Sequence, residues 1–354
     1  MKNLIYSNIK KIIIFFSFVF FATCSVNAEN FFIGTVEKII SEEEVSNNFF
    51  DKKLIDQVLK IKFKNQEFII KNNGVNDLHR VKKDEKIVLQ KTENNNFRII
   101  DKYRLTVILF IFIIFISLVM LITKKRGFFS LLGLLISIFV LVIVGSQILQ
   151  GRSPLFISSI GAFFIAFVTI YLAHGINMRT TLALISTIFS IILSLFLSFI
   201  FIKLTKLSGL GSEDAFYLQI GTNININLQG ILMSGIIIGV LGILDDITTT
   251  QVTAIYELKK ANPKINQKNL FYSGLKIGNE HILSMVNTLV LAYAGASFPL
   301  FLLFGFEKTQ DLWVTLNSEL IAEELIRTLV GSLTLLFAVP LSCFIAAHYY
   351  GEKK

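Results

Sequence analysis

Charge and proline are both scarce in this chain of 354 residues. Only 17% of the residues are charged and only 4 are proline, whereas 53% are apolar. Soluble domains carry about 25% charged residues, so the composition argues against a water-soluble enzyme and favours long uninterrupted helices in lipid. The two cysteines, Cys24 and Cys343, are too few for a disulfide framework.

The usual motifs of catalysis are missing as well. The sequence has no Walker A phosphate loop, no HExxH and no GxSxG pattern, so ATP-driven or hydrolytic chemistry lacks its usual residues. We therefore expect a protein that is not an enzyme and that holds neither a metal nor a cofactor. The formal net charge of +9 does not indicate a nucleic-acid partner, because the basic residues lie mainly between apolar runs and in one polar segment.

The first 28 residues have the pattern of a secretory signal. Three lysines precede the apolar segment 12–22, and small residues at Val26-Asn27-Ala28 fit a cleavage site. An uncleaved signal anchor is the alternative. In either case the segment that follows is predicted to be exported.

Residues 29–104 form a predicted extracytoplasmic domain. The segment has 15 Lys or Arg and 13 Asp or Glu, so it is highly charged yet close to neutral. Turn signals at Asn72-Asn73-Gly74 and Lys82–Glu85 separate runs of β-type composition. The predicted strands are Phe31–Val36, Leu54–Phe63, Glu67–Lys71, Lys86–Gln90 and Phe97–Ile100.

Residues 105–354 are predicted to cross a membrane seven times, because apolar stretches of about 20 residues match the thickness of the hydrocarbon core. The predicted spans are 105–123, 127–149, 154–175, 180–203, 229–249, 281–305 and 323–349. Basic residues at 124–126, 179 and 259–276 fall on one side, which the positive-inside rule assigns to the cytoplasm. The predicted fold is a mainly α, seven-helix transmembrane bundle in the cell membrane, with an extracytoplasmic N-terminal β-type domain and a cytoplasmic C-terminus.

The polar end of the fifth predicted span is the most informative stretch. Asp245 and Asp246 follow about sixteen apolar or small residues, and three threonines and Gln251 come next. If the helix continues, one face carries Asp246, Thr250, Thr253 and Glu257, at spacings of four, three and four. Their oxygens suit hard cations or protons, and ionisable groups at membrane depth usually mark an ion or substrate route. Alternatively, Asp246 caps a new helix that begins at Ile247 near the cytoplasmic interface.

The sixth predicted span begins with a matching polar edge. Glu280 and His281 open it, and Ser284, Asn287 and Thr288 follow on adjacent faces. Because the Asn287 amide needs a partner inside the bundle, we expect it to pair with the Asp245/Asp246 region.

Other polar residues in the spans have a packing interpretation. A stripe of serines at 186, 190, 194 and 198 on the fourth span lets helices approach closely, although a hydrophilic pathway is the alternative. Gly235 and Gly239 indicate close helix contact. Arg327 is expected to pair with Glu323 at the i,i+4 spacing.

Four stretches of the sequence resemble the YibE/F-like family of bacterial multi-pass membrane proteins. They are YLAHGINMRTT (171–181), NLQGILMSGIIIGVLGILDDITTTQ (227–251), LKIGNEHILSMVNTLVLAYAGASFPL (275–300) and NSELIAEELIRTLVGSLTLLFAVPL (317–341). The resemblance implies the membrane architecture and a permease-like protein, but no substrate. It marks motif positions at Asp245, Asp246, Thr250, Gln251, His281, Asn287 and Thr288. In the family valine often stands where this chain has Thr249, so Thr249 is the threonine with the weakest implied role.

Two functions from different classes follow. The first is a permease for an ion or small solute, in which Asp245 or Asp246 binds the cation or proton. The other predicted site residues are Thr250, Gln251, Asn287 and Thr288, with Glu257, Glu280, His281 and Ser284 as secondary candidates. The alternative is a non-transporting scaffold or sensor, whose exported domain binds a partner while the 259–276 segment contacts the cytoplasm or anionic lipid. The oligomeric state stays open.

Overall fold

A computed structural model describes residues 31–46, 53–63, 66–75, 79–92, 96–221, 226–299, 302 and 311–352. The predicted signal segment 1–28 lies outside these residues. The chain divides into two compact units between Leu118 and Val119. Its helices are α1 (Leu105–Lys125), α2 (Gly127–Leu149), α3 (Pro154–His174), α4 (Met178–Thr205), α5 (Glu213–Gly221), α6 (Leu228–Ala261), α7 (Gln267–Ala296), α8 (Leu312–Asn317) and α9 (Glu319–Glu352).

The N-terminal strands form a five-stranded antiparallel sheet. They are β1 (Phe31–Ser46), β2 (Lys53–Phe63), β3 (Gln66–Val75), β4 (Lys86–Lys91) and β5 (Phe97–Lys102), in the order β3-β2-β1-β4-β5. The edge strands β3 and β5 approach each other, so the sheet curls into a half-barrel. All five predicted strands exist, but β1 continues ten residues beyond the predicted end at Val36, to Ser46. The turn predicted at Asn72-Asn73-Gly74 is wrong, because β3 continues to Val75 with Gly74 at φ 67°.

The core of the half-barrel comes from the alternation of apolar residues along the strands. Val36, Leu59, Ile61, Ile87 and Leu89 are fully buried on the concave side. Pairing of Val36 with Ile61 and of Gly34 with Ile87 places the buried residues of adjacent strands on the same face. The alternating pattern in the sequence therefore sets the register of the sheet.

Among the residues that the structure describes, six helices are long and apolar enough to cross a membrane: α1, α2, α3, α4, α6 and α9. They coincide with six of the seven predicted spans. The span predicted at 281–305 is placed wrongly, since α7 begins at Gln267, within the predicted 259–276 loop, and ends at Ala296. Only residues 262–266 separate α6 from α7. Because α7 carries charged and amide residues, it is not among the six apolar helices, and a count of seven spans is not established.

The helical unit packs around α6, which contacts α3, α4, α7 and α9. The predicted serine stripe on α4 is fully buried, and α4 packs on α9. Ser186 and Ser190 each donate to the carbonyl four residues earlier, at 2.9 Å. Ser194 Oγ and Ser198 Oγ are buried and make no hydrogen bond within the described residues, so local bonding supports the packing interpretation only in the first half of the stripe.

The two glycines of α6 also lie at helix contacts. A Cβ at Gly239 would collide with the Tyr293 hydroxyl of α7, and one at Gly235 would lie 3.6 Å from Arg327 of α9. The expected Arg327–Glu323 pair is wrong: Arg327 lies 3.5 Å from Glu324 instead. Glu323, the predicted partner of Arg327, instead accepts a hydrogen bond at 2.9 Å from the Gly211 amide in the loop after α4.

Candidate functional site: an acidic crevice

The polar segment 245–257 lies within an unbroken helix. α6 runs from Leu228 to Ala261, and its N-cap is Asn227, whose side chain accepts from the Gly230 amide. The alternative in which Asp246 caps a new helix at Ile247 is therefore wrong. The predicted face exists, and its four residues are all exposed: Asp246, Thr250, Thr253 and Glu257.

Asp245 is the acidic residue of this segment whose side chain bonds to a neighbouring helix. Its Oδ2 accepts a hydrogen bond from the hydroxyl of Thr169 on α3. Its Oδ1 is buried and has no hydrogen-bond partner among the described residues. A buried carboxyl oxygen that lacks a donor is costly in a protein interior, so this oxygen has an unfilled capacity to bind a proton, a cation or a water.

Asp245 faces a cavity of about 330 Å³ between α2, α3 and α6. A neighbouring cavity of about 550 Å³ extends from it toward the loop between α3 and α4. Together the two cavities form what we call the acidic crevice. The residues that line both are Ser130, Ala173, His174, Asp246 and Thr249.

The larger cavity contains a basic residue as well as the acid. Arg179, at the start of α4, lines it together with Asp246, and its guanidinium lies 4.7 Å from the ring centroid of Tyr256. This cation–π contact fixes the guanidinium against the second half of α6. One carboxylate, several hydroxyls and one guanidinium thus line the larger cavity, whereas the smaller one has Asp245, Asp246 and hydroxyl groups beside apolar side chains.

The threonines of α6 occupy different sectors of the helix. Thr248 is buried and shares a hydrogen bond of 2.8 Å with Thr187 of α4. Thr249 lines both cavities and donates to the Asp245 carbonyl at 2.7 Å. Thr250, the predicted ligand, is exposed and lines neither cavity. The structure thus places two threonines of α6 in the crevice: Thr249, to which the family resemblance gives the weakest role, and Thr253, which lines the larger cavity.

Gln251 lies away from the crevice. It is buried, and its Nε2 donates to the carbonyl of Gly274 at 2.7 Å and to the sulfur of Cys343 at 2.9 Å. Six residues separate Gln251 from Asp245, which turns the two side chains about 120° apart around α6. Gln251 therefore joins α6 to α7 and α9 and is not a wall of the acidic crevice.

The predicted residues of α7 are not brought to the acids either. Glu280, His281, Ser284, Asn287 and Thr288 are all exposed, and none lines either cavity. The expected pairing of Asn287 with the Asp245/Asp246 region is therefore wrong. α7 packs on the side of α6 that carries Gln251, whereas Asp245 faces α3.

Several polar residues of the crevice were not chosen from the sequence, among them Thr169, Ser130, His174 and Arg179. Thr169 and Ser130 are isolated hydroxyl residues among apolar ones, which is too weak a pattern to indicate a site. His174 had a signal, since it lies in the family-like stretch 171–181. Within the described residues, no group of three or more His, Cys, Asp and Glu side chains is placed to hold a metal ion.

The comparison with protein families agrees with this architecture. The model of the YibE/F-like protein family matches residues 111–352, which extend from within α1 to the end of α9 and include the whole crevice. No curated protein and no solved structure matches the chain. The family match and the long apolar helices identify an integral membrane protein, and the chain belongs to the YibE/F-like family.

Proposed function

We propose that the protein is a membrane permease for an ion or small solute, and that the acidic crevice is its binding site. The observation that carries the proposal is Asp245, whose Oδ1 is buried without a donor beside a cavity large enough for several water molecules. A carboxyl group that only stabilised the bundle would be expected to have both oxygens paired. In this proposal Asp245 binds the proton or cation, and the protein is not an enzyme.

Asp246 and Thr249 supply the remaining oxygens in this scheme. Both line the two cavities, so a cation that moves from the larger to the smaller cavity passes them. Hard cations prefer carboxylate and hydroxyl oxygens over other donors. Arg179 stands on the side of the loop between α3 and α4, where it would repel a cation and attract an anionic group of a solute.

The distribution of charge supports a cytoplasmic position for the end of the bundle that carries Arg179. The Arg179–Tyr256 contact places the α3–α4 loop at the same end as the basic residues Lys259, Lys260 and Lys264. At the other end, the loop after α4 contacts Glu319 and Glu323. The positive-inside rule assigns the basic end to the cytoplasm. With an exported N-terminal domain, this gives the topology that the sequence predicts.

The test is ion flux in proteoliposomes that contain a trapped pH-sensitive dye, with an imposed proton gradient and sodium or potassium as counter-ion. We expect Asp245→Asn to abolish flux and Asp246→Asn to reduce it. Asp214→Asn, an exposed acid on α5, is the matched control and should leave flux unchanged. Wild-type flux in the Asp245→Asn, Asp246→Asn double variant would remove both acids from the mechanism.

Water access separates a permease from a scaffold. Gly242 lines the smaller cavity, and nothing lies within 4 Å of the Cβ that a substitution would add. Gly242→Cys should therefore react with a small charged thiol reagent in intact membranes if the crevice is hydrated. Protection at this position, with labelling confined to an exposed control such as Thr250→Cys, would favour the scaffold.

A further inference from the structure

Two opposite charges line the larger cavity of the acidic crevice without pairing with each other. They are the half-buried Arg179 at the start of α4 and the exposed Asp246 of α6. Within the described part of the chain, neither side chain makes a hydrogen bond or an ion pair. Both charged groups are therefore available to a bound solute.

The guanidinium of Arg179 is held in place from one side. It lies over the ring of Tyr256, 4.7 Å from the ring centroid. A cation–π contact of this kind fixes the position of the cation but uses none of its N–H donors in a hydrogen bond. A guanidinium with free N–H donors binds a carboxylate through two parallel hydrogen bonds, so this group suits the carboxylate of a solute.

The two charges are well separated along α6. Asp246 and Tyr256 are ten residues apart in this continuous helix, which is about 15 Å along its axis at a rise of about 1.5 Å per residue. Because Arg179 contacts Tyr256, its guanidinium meets α6 about three turns beyond Asp246. An α-amino acid carries its two charges on adjacent carbons and is too short to reach both groups.

We propose that the larger cavity binds a short zwitterionic peptide, with the peptide carboxylate on Arg179 and the peptide ammonium group on Asp246. An extended chain of two or three residues spans about 7–10 Å. Hydrogen bonds of about 3 Å at its two ends let such a chain reach from one charge to the other. The inference rests on the proposed transport function and names the class of solute.

Other groups of the larger cavity fit a peptide backbone. The hydroxyls of Ser130 and Thr253 line it, and neither bonds to another residue that the structure describes. A hydroxyl both donates and accepts, so it can meet the N–H or the carbonyl of a peptide bond. The volume of about 550 Å³ lies within the range of about 300–1,000 Å³ that is usual for small-molecule sites.

Protection from thiol labelling tests the binding directly. Thr253→Cys, in the full-length protein in nanodiscs, should react with a charged methanethiosulfonate reagent, and dialanine should slow the reaction. N-acetyl-dialanine lacks the ammonium group and dialanine amide lacks the carboxylate. Each should therefore need a concentration about tenfold or more higher for the same protection, as the loss of hydrogen bonds to a charged group predicts. The parent chain, with its natural cysteines alone, reports any background.

Variants in the Thr253→Cys background assign the two ends of the peptide. In Arg179→Gln the advantage of dialanine over dialanine amide should disappear, and in Asp246→Asn its advantage over N-acetyl-dialanine should disappear. A variant that only disturbed packing would weaken the binding of all three peptides equally. Arg152→Gln, at an exposed arginine in the loop between α2 and α3, is the matched control and should keep the wild-type preferences.

Two results would overturn the inference: dialanine that gives no protection, or an Arg179→Gln variant that still discriminates among the three peptides as the wild type does. Labelling reports binding alone, so either result counts against the peptide site even where ion flux depends on Asp245. A missing Asp245-dependent flux contradicts the proposed function instead, and protection by dialanine would still show the peptide site.

Discussion

The close contact between α7 and its neighbours at Gly278 leads to a sharp prediction about stability. An added Cβ at this position would lie 2.9 Å from the Gln251 side-chain oxygen and would overlap Val339 of α9. Neither neighbour can easily move away. Gln251 is held by two hydrogen bonds, and Val339 is fully buried with a β-branched, rotationally restricted side chain. Gly278→Ala must therefore push α7 away from α6 and α9.

The magnitude of the effect follows from two opposing contributions. Overpacking a closely packed contact costs about 1–3 kcal/mol, while replacing glycine by alanine within a helix gains about 0.5–1 kcal/mol. We expect Gly278→Ala to lower the free energy of unfolding by about 1–2 kcal/mol. Gly295, in the same helix, has nothing within 4 Å of its added Cβ, so Gly295→Ala should raise stability by about 0.5–1 kcal/mol.

The assay is reversible unfolding in mixed micelles with increasing SDS, followed by circular dichroism. The same chemical change in one helix should shift the midpoint in opposite directions at the two positions. Gly145→Ala on α2, which also adds a Cβ without neighbours within 4 Å, serves as a second control outside α7. A Gly278→Ala variant that is at least as stable as Gly295→Ala would refute the packing of α7 described above.

Three further predictions concern hydrogen bonds. Glu319→Ala removes the carboxylate that accepts hydrogen bonds from the loop after α4 at 2.5–3.0 Å. It should lower the free energy of unfolding by about 1–3 kcal/mol, whereas the control Glu257→Ala, at an exposed acid, should have little effect. The double cycle of Thr187→Val and Thr248→Val should give a coupling energy of about 0.6 kcal/mol, the average for such pairs in membranes, and a value of zero would contradict the bond. The hydrogen bond from Arg104 lowers the pKa of the Asp101 carboxyl, so this pair stabilises the fold at neutral pH and is lost as pH falls through that lowered pKa. Carbon-detected NMR titration should show the lowered pKa and its return toward the ordinary value in Arg104→Gln.

Much of the fold could be predicted because long apolar runs are a strong signal. Six spans needed only a count of consecutive apolar residues, and the strands of the half-barrel were marked by runs of β-type composition. Helix α7 escaped this reasoning because Lys276, Asn279 and Glu280 interrupt its hydropathy. The sequence there is compatible with a helix, but hydropathy measures affinity for lipid and does not register a polar helix that packs against protein.

The site was predicted in part for a related reason. Two adjacent acids after sixteen apolar or small residues stand out in any sequence, and both line the crevice. Thr169 does not stand out, since a single threonine in an apolar helix is common. Its contact with Asp245 depends on the register between α3 and α6, which no local pattern encodes. Asn287 was misassigned because periodicity shows which residues share a face of a helix but not which helix that face meets.

The rotation of α6 separates the roles of its polar residues. Asp245 and Thr249 face the crevice, Thr248 faces α4, and Gln251 faces α7 and α9. α7 lies on the far side of α6 from the crevice. The contacts that hold α7 against α6 are therefore different from those that hold the acids. Asp245→Asn should therefore abolish flux without changing the stability loss caused by Gly278→Ala. Non-additive effects of Asp245→Asn and Gly278→Ala on the unfolding midpoint would mean that the two faces of α6 do not act independently.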